Sequence, residues 1–151
     1  MTTLKPGDKA PAFESHDQEG KPIKLEDFRG SKVIFYFYPK DDTPGCTAEA
    51  CNLRDNYEGL LSSGYKVIGV STDNIKSHQK FAVKYGLPFS LLPDTDKKIA
   101  NDYGVWGPKK FMGKSYEGIN RTTFVIDEHG IIEKVFDKVD TKNHTQQILE
   151  G

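Results

Sequence analysis

Nothing in this sequence is apolar for anything close to the roughly 20 residues that a membrane-spanning helix needs; its strongest apolar run stops after Val33 to Tyr38. The first residues, Met1-Thr2-Thr3-Leu4-Lys5-Pro6, lack the apolar core of a secretory signal, so a cytoplasmic protein is expected. Charge of one sign is missing as well. The 21 Lys and Arg stand against 22 Asp and Glu, a net charge of −1, which gives no electrostatic case for nucleic acid. The pairs Lys97-Lys98 and Lys109-Lys110 read as solvated surface. The four histidines, His16, His78, His129 and His144, are scattered, and without a His-x-x-x-His pair they do not suggest zinc. No glycine-rich loop follows a strand to cradle a phosphate. Neither a metal nor another cofactor is expected.

Cysteine is scarce too, and here the scarcity is informative. Two in 151 residues cannot make a disulfide framework, and structural disulfides are uncommon in a reducing compartment. Yet the two, Cys46 and Cys51, lie close together in sequence, as redox-active or metal-binding thiols do. The remaining composition, 36% hydrophobic and 28% charged, is that of an ordinary globular domain. A single domain over residues 1–151 is expected, long enough to bury a core.

The chain opens with a turn-rich region ending near Gly30, where Gln18-Glu19-Gly20-Lys21 separates short extended pieces; it reads as a β-hairpin. Residues 33–38 form an unbroken apolar strand, as in a sheet covered on both faces. A helix over residues 44–62 follows, stopped by Gly64. Strand 66–71 comes next, then a helix capped by Asn74 and ended by Gly86, a short strand 89–92, and a helix to Tyr103 capped by Thr95 or Asp96. Asp94-Thr95-Asp96 suggests capping and turn chemistry rather than paired catalytic acids. Residues 105–118 read as a loop, strands 121–126 and 131–136 as a hairpin, and residues 142–149 as a last helix. Helices between the middle strands require parallel crossovers, and the closing hairpin is antiparallel. The expected architecture is α/β, a mixed central sheet with helices on both faces.

The most informative segment runs from Pro39 through Thr43-Pro44-Gly45-Cys46 to Cys51. Pro44 suits the first helical position, and it biases Thr43 toward the extended conformation of an N-cap. Cys46 is then the third helical residue, within reach of the Thr43 side chain. There it lies among free backbone N–H groups at the positive end of the helix dipole, a setting that favours a thiolate. On a helical wheel Cys46 continues the apolar stripe of Ala50, Leu53, Tyr57, Leu60 and Leu61, whereas Cys51 falls with Asp55, Glu58 and Ser62 on a polar face. One thiol is guarded and the other accessible.

Pro39, Thr43 and Cys46 also satisfy the Pro-x-x-x-Thr-x-x-Cys signature of the peroxiredoxins, which this chain resembles. Thr-Pro-Gly-Cys-Thr followed by Cys51 resembles the bacterioferritin-comigratory (BCP/PrxQ) subgroup, of the atypical 2-Cys type. Further matches run from Gly7-Asp8-Lys9-Ala10-Pro11 through Tyr103-Gly104-Val105-Trp106-Gly107 to Gly118-Ile119-Asn120-Arg121. The resemblance implies a thioredoxin-like fold and a peroxidase of hydrogen peroxide and organic hydroperoxides. Cys46 would attack a peroxide oxygen and become a sulfenic acid. Donors to the departing oxygen would be the Thr43 hydroxyl, the Cys46 amide and Arg121. Glu49 would orient that arginine, and Trp106 and Phe111 would help wall the pocket, although Trp106 is more safely read as core packing than as a substrate contact. Cys51 would resolve the sulfenic acid as an intramolecular disulfide, reduced by a thioredoxin-like protein. Such a mechanism needs no dimer, so a monomer is expected.

Two other classes compete on the residues alone. A thiol–disulfide oxidoreductase shares the fold but normally carries Cys-x-x-Cys, while four residues separate the cysteines here. A redox sensor or binding module would use the same thiol without rapid turnover.

Overall fold

The computed structural model describes residues 2–151, without the side chain of Phe111; the expectation placed on that side chain lies outside the described residues. A short hairpin, β1 (Glu14–His16) and β2 (Pro22–Lys24), opens the chain, and a single 3-10 turn (Leu25–Phe28) follows. The central sheet has five strands: β3 (Lys32–Phe37), β4 (Tyr65–Ser71), β5 (Ser90–Pro93), β8 (Thr122–Ile126) and β9 (Ile132–Phe136). Their order is β5-β4-β3-β8-β9. β3, β4 and β5 pair in parallel, while β8 and β9 add antiparallel strands beside β3. The mixed sheet and the N-terminal hairpin match the expectation.

Alternation along β3 divides the core in two. Val33, Phe35 and Phe37 pack with Ile68, Val70, Phe124 and Ile126 on one face, together with Phe13 and Ile23 from the N-terminal region. Ile34, Tyr36 and Tyr38 pack with Val67, Leu91 and Val125 on the other. Helices α1 (Pro44–Asp55), α2 (Tyr57–Ser62), α3 (Ile75–Tyr85) and α5 (His144–Glu150) bury residues in the second layer, and α4 (Lys98–Asp102) buries Ile99 and Ala100 in the first. A strand that is buried on both faces needs apolar residues at successive positions, which is why β3 has no polar alternation. Gly69 in β4 lies against it: an added Cβ would stand 2.9 Å from both the Tyr36 ring and Leu91, so only glycine lets that ring cross the sheet.

Several boundaries differ from expectation, each for a local reason. The single helix over 44–62 is two, broken at Asn56, whose side-chain amide donates to the Asn52 carbonyl at 2.8 Å. Of the two expected caps of α4, Asp96 does accept from a first-turn amide, that of Lys98 at 3.1 Å, but it is not the N-cap residue. Asp94 accepts from the Ile99 and Ala100 amides at 3.0 and 2.8 Å, and Lys97 takes the N-cap position with φ 63°. Asn74 and Gly86 bound α3 as expected, the first accepting from the Ser77 amide and the second left-handed. The expected loop at 105–118 is a hairpin, β6 (Trp106–Phe111) with β7 (Lys114–Ile119). Its tip, Met112-Gly113, has φ of 52° and 79°, the two positive values of a primed two-residue turn. The Asn120 amide closes the neck on the Val105 carbonyl at 2.8 Å, and the chain re-enters the sheet immediately after Arg121. Among the described residues no helix is long and apolar enough to cross a membrane.

Candidate active site around Cys46

The loop from β3 into α1 is held on both sides. Thr43 is extended at φ −105° and ψ 156°, and Pro44 occupies the start of α1. Asp41 is buried and accepts from the Tyr38 hydroxyl at 2.6 Å and the Ser77 hydroxyl at 2.8 Å, with His78 Nδ1 2.7 Å away. Asp42, at φ 56°, accepts from Lys84 Nζ and the Tyr85 hydroxyl of α3 at 2.8 and 2.7 Å. A left-handed aspartate is uncommon, and here these two partners on α3 hold it. Asp41, Asp73 and His78 offer possible ligand atoms within 4.8 Å of one another. Both ring nitrogens of His78 are nevertheless engaged, the second with the Leu92 carbonyl at 3.0 Å, so the cluster is built to fix the loop.

The first α-helical bond of α1 runs from the Thr47 amide to the Thr43 carbonyl. The amides of Gly45 and Cys46 precede it and have no carbonyl of their own helix to meet. Cys46 is buried at 1% exposure, packed with Ala50 and Leu53 below the sheet, and Cys51 is half-buried; both thiols are free. Arg121 Nη2 donates to Cys46 Sγ at 3.3 Å, and Nη1 donates to Glu49 Oε1 at 2.7 Å. Gly45 gives the guanidinium its place, because a Cβ there would lie 3.1 Å from Arg121 Nη2. Burial works against the charge of Arg121, but Glu49 and Cys46 outweigh it and hold the guanidinium above its ordinary value. Burial also drives Glu49, opposed by Arg121, up to about 7.

The sequence-derived residues thus divide. Arg121 touches both Cys46 and Glu49, with Thr43 and Pro39 in the loop that leads to them. The Thr43 hydroxyl does not reach Cys46; it donates to the Lys40 carbonyl at 2.8 Å. Trp106 packs on the other core layer, beneath the Lys97 ammonium at 5.3 Å from its ring, as the core-packing explanation has it. Lys109, taken as solvated surface, is half-buried and donates to the Ile119 carbonyl at 2.8 Å. Burial and then Arg121 hold its ammonium below the ordinary lysine value, and Cys46 opposes them. His144, scattered in sequence, stands with Nε2 3.5 Å from Glu49 Oε2. Its spacing from Ile148, one helical turn along the same buried face, is the signal that could have found it.

The AhpC/TSA family model matches residues 6–135. Peroxiredoxin Bcp of Escherichia coli K12 is 50% identical over 149 residues, covering 99% of this chain and 96% of the relative. Among solved structures, a cysteine mutant of Xylella fastidiosa PrxQ superposes with a TM-score of 0.93 at 27% identity, covering 99% of this chain and 96% of that one. The Xanthomonas campestris bacterioferritin comigratory protein, described for its alkyl peroxide reduction activity, gives 0.85 at 32% identity over 91% and 88% of the two chains. With a thiol held by an arginine at the head of a helix on this fold, the chain belongs to the AhpC/TSA family and, within it, to the Bcp/PrxQ peroxiredoxins, which makes it a thiol-dependent peroxidase.

Proposed function

We propose that Cys46 is the nucleophile of this peroxidase, that Cys51 resolves it within the same chain, and that a thioredoxin-like dithiol protein recycles the pair. The observation that carries the proposal is the 3.3 Å bond from Arg121 Nη2 to Cys46 Sγ, made at a helix start where two amides are also free. Cys46 thiolate attacks one oxygen of the hydroperoxide, the O–O bond breaks, and the departing alkoxide takes a proton to leave as alcohol or water. Arg121 and the Cys46 amide face the charge that grows on the departing oxygen. The Thr43 hydroxyl joins them by turning from the Lys40 carbonyl, a rotation about one side-chain bond. Cys51 thiolate then attacks the Cys46 sulfenic sulfur, expelling hydroxide, which leaves as water. The external dithiol takes up the resulting disulfide and is itself oxidised. Hydrogen peroxide and organic hydroperoxides are both assigned as substrates, the second supported by the likeness to the Xanthomonas protein. The protein is assigned as a monomeric single domain acting in the cytoplasm, since an intramolecular resolving thiol needs no second subunit.

Cys51→Ser tests the division of labour. It is expected to react with one equivalent of peroxide and then stall with a sulfenic acid on Cys46, or overoxidise to the sulfinic acid with a second equivalent, as mass spectrometry would show. Normal cycling of this variant with thioredoxin would make the resolving assignment wrong. Arg121→Ala is expected to slow the first oxidation by about 10²- to 10³-fold, the usual loss for one donor to developing charge. Stopped-flow measurement of that step decides it; an unchanged rate would leave Arg121 a purely structural partner of Glu49.

A further inference from the structure

We propose that His144 is a positioning residue of the peroxidatic centre: its Nε2 edge, an acceptor, keeps Glu49 a neutral acid and so leaves the Arg121 charge to Cys46. The proposal rests on Cys46 being the thiol that meets peroxide.

The tautomer of His144 follows from its surroundings. Gln147 donates from Nε2 to the Lys138 carbonyl at 2.8 Å and accepts the Asp140 amide on Oε1 at 3.0 Å, which fixes the direction of its amide. Oε1 is 2.9 Å from His144 Nδ1, so Nδ1 carries the proton. The opposite nitrogen, Nε2, then presents its lone pair to the Thr123 hydroxyl at 2.8 Å and to Glu49 Oε2 at 3.5 Å. His144 is fully buried, and burial, helped by Arg121 and opposed by Gln147, brings it down to about 4, so the ring is neutral near pH 7.

Glu49 is also fully buried, and Oε2 has no hydrogen-bond donor among the described residues. A carboxylate oxygen facing a lone pair is doubly unfavourable, by desolvation and by repulsion. A protonated carboxyl suits both neighbours. Its carbonyl oxygen, Oε1, accepts from Arg121, and its hydroxyl on Oε2 puts no negative charge beside the His144 lone pair. The guanidinium then faces one anion, Cys46, in place of two. The other ionisable groups that bear on the cluster are the Tyr36 phenol from β3, Asp140 ahead of α5, and Lys109 from β6.

As pH rises through about 7, Glu49 loses its proton, Arg121 is divided between two anions, and peroxide reduction slows. The test is the pH profile of Cys46 oxidation in a Cys51→Ser background, compared with His144→Ala, Glu49→Gln and the double variant. His144→Ala removes the acceptor edge and admits water, so its falling limb should move down by about one pH unit, a roughly tenfold loss at a fixed pH on the slope. Glu49→Gln should have no such limb, and adding His144→Ala to it should leave the profile unaltered. A limb that stays in place in His144→Ala, or an undiminished effect of His144→Ala in the Glu49→Gln background, would overturn the proposal. Should His144→Ala fail to fold, nitrogen NMR of the reduced protein decides: Nδ1 protonated and Nε2 bare supports it, and a proton on Nε2 refutes it. No reaction at all in the Cys51→Ser background would instead refute the role of Cys46.

Discussion

Cys46→Ser is expected to lose peroxidase turnover entirely, a fall of at least about a thousandfold, because an alcohol cannot supply the thiolate that attacks the O–O bond. The substitution is nearly isosteric, so the site around it should survive. A hydroxyl at a position 1% exposed would cost about 1–3 kcal/mol if left without a partner, but Arg121 Nη2, which now donates to sulfur, can donate to it. The variant should therefore be folded and inert. Steady-state peroxide consumption with a thioredoxin system is the assay, with circular dichroism as the check on folding. Substantial turnover would remove Cys46 from the mechanism.

Much of this site could be read from the chain because the chemistry is local. Thr43, Pro44 and Cys46 occupy adjoining positions of one cap and first turn, so propensity and spacing were enough to place them. Glu49 lies one turn further on the same helix. Arg121 is distant in sequence and came through resemblance, with its charge at the start of a core strand as the one local sign. It follows the β6–β7 hairpin directly in the chain, just ahead of β8. That hairpin was not legible as strands. Residues of β7 from Lys114 to Glu117 are exposed, so no alternation of apolar and polar residues marks the pleat, and the turn at Met112 lacks the usual Asn or Asp.

The break at Asn56 was hidden for another reason. The apolar stripe continues across it from Leu53 to Leu60, and periodicity registers the face while missing a one-residue interruption of the hydrogen bonds. The histidines were obscured because a single polar residue adds little to a pattern, and for His144 only the spacing to Ile148 marked a buried face. His78 and His144 became informative only once the fold set Asp41 beside one and Glu49 beside the other.

The second large effect concerns α1 itself. Cys46 and Cys51 lie within one unbroken helix, Pro44–Asp55. Five residues of ideal helix separate Cα atoms by roughly 8.6 Å and turn the side chains about 140° apart, whereas a disulfide spans at most about 7 Å. The bond and the helix cannot coexist. Forming the bond must undo the first turns of α1, and with them the contact of Arg121 with sulfur and the burial of Glu49. It must also strain the clasp beside Cys51, where Asn52 Nδ2 donates to the Lys142 carbonyl at 3.0 Å and Oδ1 accepts the Thr145 amide at 2.8 Å. Unwinding would bring the disulfide out to its reductant while dismantling the peroxide site, so that oxidised enzyme cannot engage a second peroxide.

Amide hydrogen exchange on reduced protein, and on protein oxidised with one equivalent of peroxide, tests this most directly when peptide masses identify the linkage in the same sample. The expected result is a disulfide between Cys46 and Cys51 of one chain, with amides 46–55 losing protection by about a hundredfold or more, while β3 and β4 stay protected. Equal protection of residues 46–55 in both states, with that disulfide confirmed, would contradict the account.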